Sequence, residues 1–344
     1  MAYAVERKVA ELAVIRACRL TNAVATSHKL GTLTKSDQSP VTVADLGAQA
    51  MINHAVRQCF PRDAIVAEED AKALRSDADL AQRVWTLIQT CYSEETNAEE
   101  SSTIGRLSSV SEMLDALDSG DSKGGPVGRI WALDPIDGTK GFIRGGQYAV
   151  CLALIDNAQV KVGVIGCPNL PVDPANPDGD KGILLSAVAG NGVYSVPFKP
   201  ETGQVSADRV SVSMRDIAST AEASFCESVE AGHSSHDDNA KIAQILGITK
   251  PSVRMDSQAK YASIARGDGD IYLRLPVSDT YQEKIWDHAA GNVIVKEAGG
   301  DVTDIFGKQL DFGIGRTLQN NKGVIAARKS IMPEVLAAVA KVRL

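Results

Sequence analysis

The sequence predicts an α/β (α+β) protein, and three observations carry that prediction. The first half opens on two long helical patterns before its strands begin. The second half alternates short apolar strands with helices, the pattern of an α/β sandwich. Between them lies PVDPANPDGDKG, 171–182, rich in proline and glycine and the best boundary candidate. It divides the chain into a first domain, 1–172, and a second, 173–344. The 344 residues, 44% hydrophobic and 23% charged, suffice for about two domains with real cores.

Residues 3–29 place Val5, Val9, Leu12, Ala13 and Leu20 at helical spacing. The loop TKSDQSP, 34–40, follows. A second helix starts at Thr42, with Asp45 completing a weaker relative of the capping box, and Pro61 stops it. DAIVAEED, 63–70, reads as a short strand ending in acids. Over 71–128, ADLAQRVWTLIQTCY and SVSEMLDALDSG read as helices, and the polar SEETNAEESSTIGRLS between them as an exposed loop. GRIWALD, 128–134, is a strand; QYAVCLALI and QVKVGVIGCP form a hairpin around Asp156-Asn157. Beyond the boundary, strands are expected at GILLSAVAG, GVYSVPF, ASFCESV, SVRMD, DIYLRLP, DVTDIF and GVIAA. Helices are expected over 236–246, 257–265, 284–297 and 329–342.

A formal charge of −7 leaves no basic excess for gripping nucleic acid. Bound metal ions can still join an acidic protein to an anionic ligand. Six scattered cysteines, with no C-x-x-C pair, read as reduced thiols of an intracellular protein. The amino-terminal stretch is a charged amphipathic helix rather than a signal peptide. No apolar run approaches the ~20 residues of a membrane span, so no membrane partner and a cytoplasmic location are expected.

The chemistry centres on LDPIDGTKGF, 133–142. Asp134 ends an apolar strand, Pro135 holds it extended, and Gly138 frees the turn that follows. Asp134, Asp137 and the Ile136 carbonyl are hard oxygen donors that suit Mg²⁺, and Thr139 adds a hydroxyl. Alone, the same residues make an ordinary polar turn. Other acids bear on the choice: Glu68 and Glu69 at a strand end, Asp37 in the KSD loop, and Asp287 at the head of an apolar helix. A buried acid needs a cation or donors; a helix-start cap is the alternative for Asp287.

In the second half, His233, Ser234, Ser235 and His236 stand where a helix begins, a natural anion site. Polar surface residues capping that helix fit equally. Zinc is discounted, because no further soft ligands accompany the two histidines. Ser257 and Lys260 lie three apart on one helix face, able to hold a phosphate unless Lys260 is a solvated surface lysine. Arg274 sits in a strand between apolar residues, and a buried arginine calls for an anionic partner.

The strings KSDQSPVTVAD, VAEED, WALDPIDGTKGFIRGGQYAVCLALI, GCPNLP, GHSSHD, DSQAKY, YLRLP and EKIWDHAAGNVIVKEAGG together carry a resemblance. They resemble the Mg²⁺-dependent, lithium-sensitive phosphatases of the inositol monophosphatase and fructose bisphosphatase superfamily, and within it the 3′(2′),5′-bisphosphate nucleotidase branch. The 66 residues from Glu68 to Asp134 also suit that branch. The resemblance implies a layered α/β/α/β/α sandwich. It implies one Mg²⁺ on Glu68, Asp134 and the Ile136 carbonyl, a second on Asp134, Asp137 and Asp287, and a third near Asp37. Thr139, hydrogen-bonded to Asp37, would orient the attacking water. His233, Ser257, Lys260 and Arg274 would grip the 5′-phosphate of 3′-phosphoadenosine 5′-phosphate, with Tyr281 a candidate for the adenine. A monomer acting on this nucleotide, and on 3′-phosphoadenosine 5′-phosphosulfate, is implied. An inositol polyphosphate 1-phosphatase is the alternative enzyme, and a silent nucleotide sensor the alternative from another class.

Overall fold

The computed structural model describes residues 2–27, 32–34, 40–95, 97–229, 236–276, 278 and 280–343. In chain order the first part carries α1 (Ala4–Ser27), β1 (Leu33–Thr34), β2 (Pro40–Val41), α2 (Val43–Cys59), β3 (Ala64–Ala67), α3 (Lys72–Ser76) and α4 (Ala78–Ser93). Next come α5 (Ala98–Ile104), α6 (Val110–Asp118), β4 (Arg129–Asp137), α7 (Thr139–Ile143), β5 (Ala149–Asp156) and β6 (Gln159–Pro171). Then follow β7 (Lys181–Val188), β8 (Val193–Lys199), β9 (Gln204–Val205), β10 (Val210–Val212), β11 (Phe225–Glu227) and α8 (His236–Leu246). The rest is β12 (Val253–Arg254), α9 (Ala259–Arg266), β13 (Ile271–Arg274), α10 (Ala289–Glu297), β14 (Gly300–Thr303), β15 (Val324–Arg328) and α11 (Met332–Arg343).

Two large sheets form the frame. The eight-stranded sheet has the order β10-β8-β7-β6-β5-β4-β3, with β9 paired to β8. The five-stranded sheet has the order β12-β11-β13-β15-β14. β5 shows why the layers stack as they do. Its apolar run is buried on both faces, as a strand covered on two sides must be. Val150, Leu152 and Leu154 share a core with Val9, Leu12 and Ile52 of α1 and α2. Cys151, Ala153 and Ile155 share another with Ala289, Ala290 and Val293 of α10. α9 and α10 therefore lie between the sheets. On the far face of the smaller sheet, Leu273 and Ile325 share a core with Ile242 of α8 and Val335 of α11. The result is the α/β/α/β/α order that the resemblance implies.

Three local expectations are corrected. The segment 171–182, expected as a boundary, joins β6 to β7 within one sheet, with the Val172 N–H donating to the Asp180 carbonyl at 2.8 Å. The chain passes from the larger to the smaller of the two main sheets between Val212 and Phe225. The polar stretch expected as an exposed loop contains α5, capped by Asn97 and buried at Glu100. Its acids answer two buried arginines of α1: Glu100 lies 2.5 Å from Arg16 Nε and 3.2 Å from Arg19 Nη2. Finally, α10 begins at Ala289 rather than 284, so Asp287 stands in the turn before it and His288 takes the N-cap position.

Candidate active site

The site begins with a departure from regular strand geometry. β4 does not stop at Asp134 but runs to Asp137. Against β5, Asp134 pairs with Cys151 and Asp137 with Ala149, so β4 holds two residues where β5 holds one. Residues three apart on a regular strand face opposite sides; one extra residue, a bulge, returns them to the same side. Pro135, which has no N–H to give a ladder, fits such a position. The Ile136 N–H donates to Asp134 Oδ1 at 3.1 Å and steadies the carboxylate. Gly138 follows with φ 88°, and a Cβ there would lie 2.9 Å from Ser257 Cβ. Only glycine suits both the backbone angle and the contact.

Beyond this bulge, acids from four segments act electrostatically on one another. Burial pushes the Asp134 carboxyl well above its ordinary range, and Glu68, Asp137, Asp287 and Asp45 push it further. Burial raises Asp137 too, opposed by Lys260 and by the Gln258 N–H, which donates to Asp137 Oδ2 at 2.6 Å. Burial raises Asp287, with Arg274 opposing and Asp137 and Glu68 adding to the rise. Like charges that disfavour one another's ionisation in this way call for a cation. A donor set made of carboxylate and carbonyl oxygens suits a hard divalent ion.

Thr139 opens α7. Its hydroxyl lies 3.2 Å from the Ile136 carbonyl and 3.5 Å from Asp45 Oδ1. Asp37, the partner expected for it, lies outside the described residues. Asp45 was legible only as a capping-box acid, and it does cap: Oδ2 accepts the Thr42 N–H and hydroxyl at 2.8 and 2.6 Å. Its second oxygen is what reaches the site.

The residues expected to grip a phosphate divide. His233 lies outside the described residues, as does the side chain of His236. Ser257 does not share a helix face with Lys260. It precedes α9 with φ 69°, and its hydroxyl accepts the Ala259 N–H at 3.0 Å. Lys260 is no surface lysine: it is 2% exposed, with Nζ 5.2 Å from the Tyr272 ring centre. Burial lowers its pKa, and the nearby Asp137 opposes that.

The anionic partner that Arg274 demands is Glu283, missed in the sequence. Arg274 Nε lies 2.8 Å from Glu283 Oε2, and Nη2 lies 3.8 Å from Asp287 Oδ2. Burial alone would raise Glu283, but Arg274 and His288 outweigh it and bring the pKa down to about 2. His288 Nε2 is 3.0 Å from Glu283 and Nδ1 is 2.8 Å from the Tyr261 hydroxyl. Tyr281 is half exposed, its hydroxyl 3.2 Å from Arg274 Nη2.

Arg316 was missed as well. It donates to the carbonyls of Ala67, Gly120 and Ser122 at 2.5, 3.1 and 3.0 Å and stacks over Trp286 at 4.8 Å. It thereby ties the strand end before Glu68 to the segment before Asp287. An arginine in a loop carries no sequence signal for such a role.

The sequence model of the inositol monophosphatase family matches residues 1–344. A 3′(2′),5′-bisphosphate nucleotidase of Emericella nidulans is 57% identical, covering 99% of this chain and 99% of its own. One of Schizosaccharomyces pombe is 49% identical, covering 99% of this chain and 97% of its own. Among solved structures, an inositol monophosphatase of Thermotoga maritima superposes with TM-score 0.61 at 22% identity, covering 97% of this chain and 96% of its own. The SuhB protein of Bartonella henselae gives TM-score 0.63 at 19% identity, covering 97% and 98%. At these identities the two structures speak for the fold alone.

Proposed function

The chain belongs to the inositol monophosphatase family, and from that premise we propose that it hydrolyses 3′-phosphoadenosine 5′-phosphate to AMP and phosphate, with Mg²⁺ as cofactor. The observation that carries this reading is the full-length likeness to fungal 3′(2′),5′-bisphosphate nucleotidases. Buried acids lying beside Lys260 and Arg274 support the chemistry. The reading extends to 3′-phosphoadenosine 5′-phosphosulfate, and to a monomer working in the cytoplasm.

Glu68, Asp134, the Ile136 carbonyl, Asp137 and Asp287 would hold two Mg²⁺ ions, with Asp37 near a third. Bound there, the ions acidify water and neutralise charge on the transferring phosphoryl group. Thr139 Oγ1 orients the attacking water and takes its proton, as the hydroxyl's own proton passes to Asp45 Oδ1. Asp45 fills this role in place of Asp37, on its 3.5 Å approach to Thr139. The bond from phosphorus to the 3′-oxygen breaks as the bond to the water oxygen forms. Lys260, Arg274, Ser257 and His233 hold the 5′-phosphate. Glu283 keeps Arg274 oriented, and Tyr281 stands at the edge where the base would lie.

The test is phosphate release from 3′-phosphoadenosine 5′-phosphate, with and without Mg²⁺, in competition with inositol 1,4-bisphosphate. Mg²⁺-dependent release with preference for the nucleotide is expected. Preference for the inositol would overturn the substrate, and tight nucleotide binding without release would make the protein a sensor.

A further inference from the structure

We propose that Gln258 is a positioning residue that sets the spacing of Asp137 and Asp287. This rests on the metal reading above. Gln258 is 1% exposed, and a buried amide needs partners for its donors and its acceptor. Its backbone N–H donates to Asp137 Oδ2 at 2.6 Å. Its side-chain Nε2 donates to the Trp286 carbonyl at 2.8 Å, and its Oε1 accepts the Gly291 N–H at 3.1 Å. Trp286 comes just before Asp287, and Gly291 lies in the first turn of α10 just after it. One residue thus grips a carboxylate from β4 and the backbone on both sides of Asp287.

The segment that carries Gln258 is itself held in place. Ser257 takes a left-handed backbone at φ 69°, uncommon for serine, and packs against Gly138, directly after Asp137. Asp137 belongs to the larger sheet and Asp287 to the chain entering α10, so their separation depends on how two layers dock. A divalent ion tolerates little error in that separation. Groups that orient ligands in this way are worth about 10–100-fold in metal affinity. Gly291 also admits Tyr261 against α10, since a Cβ there would lie 2.1 Å from the Tyr261 ring. The helix end that Gln258 holds is therefore packed tightly on α9.

The test is calorimetric titration of Mg²⁺ and of Mn²⁺ into the full chain, with melting curves of each variant. Gln258→Met fills the space without the hydrogen bonds. Gln258→Asn keeps the amide but shortens its reach. Ile264→Val, in α9 and outside the site, is the control for packing loss. Expected are a 10–100-fold weaker metal affinity in both Gln258 variants and wild-type affinity in Ile264→Val. Wild-type affinity in Gln258→Asn would overturn the proposal even if Gln258→Met fails to fold. Equal weakening in the control would reduce Gln258 to a packing role and also overturn it. If the wild-type chain binds neither ion, the metal reading falls and this proposal with it.

Discussion

The Thr139 hydroxyl lies 3.5 Å from Oδ1 of Asp45, while Oδ2 of the same carboxylate accepts from Thr42 at 2.6 Å. One acid thus caps α2 and faces the first residue of α7. Asp45→Asn keeps an oxygen for the cap but cannot take a proton. It should lower kcat by about 10²–10⁴-fold with little change in melting temperature. If Asp37→Asn shows that loss and Asp45→Asn does not, the role belongs to Asp37.

Asp134 is 2% exposed and feels all the other acids of the site. Asp134→Asn should cut turnover by about 10³-fold or more, because the ions it would hold are worth several kcal/mol in the transition state. Near-normal phosphate release from this variant would reject the assignment.

Lys260 and Arg274 are the residues proposed to hold the substrate's second phosphate. Lys260→Met should raise KM for 3′-phosphoadenosine 5′-phosphate by about 10-fold, the loss of one charge-assisted hydrogen bond. The same variant should leave KM for adenosine 3′-phosphate, which has no 5′-phosphate, nearly unchanged. Equal effects on both substrates would move Lys260 out of that role.

The pH dependence of stability follows from signs. In the metal-free chain Asp134, Asp137 and Asp287 have pKa values above the unfolded 3.8. The folded state then holds more protons, so the stability these groups contribute is full below the unfolded value and is lost as pH rises from it through their raised values. In the proposed site a divalent ion would replace those protons. The rise in melting temperature on adding Mg²⁺ should be large at neutral pH and fade toward about pH 4. Glu283 runs the other way: its pKa is lowered from 4.5 to about 2, so the stability it contributes is lost as pH falls through that range. Melting curves at several pH values check both; a Mg²⁺ effect independent of pH would contradict the first.

Glu100 faces Arg16 at 2.5 Å and Arg19 at 3.2 Å, with all three side chains buried. Glu100→Gln leaves both arginines short of an anion and should cost about 3–5 kcal/mol by denaturant unfolding. A change near zero would mean that Glu95 alone compensates Arg16, 3.2 Å away.

Periodicity made α1, α2, α4 and β5 legible, because a helix or strand buried on a known side writes that side into its spacing. The same rule failed over 93–108, where the acids looked solvated. The Glu95 and Glu100 side chains are buried because two arginines seventy to ninety residues earlier are buried with them, and a local window holds only one partner of such a pair. Arg274 is the clearest case. Its need for an anion was readable, but the anion, Glu283, arrives nine residues later through a loop whose path has no periodicity.

By itself the sequence determined the candidate acids, the order of the layers and the family's phosphatase chemistry, all of which rest on local patterns and matching strings. Only the tertiary structure decided that a bulge turns Asp134 and Asp137 to one side, that Asp45 faces Thr139, and that Gln258 spans Asp137 and the two flanks of Asp287. Those relations depend on how two sheets dock through α9 and α10. Docking is set by the packing of residues far apart in the chain, and no local pattern records it.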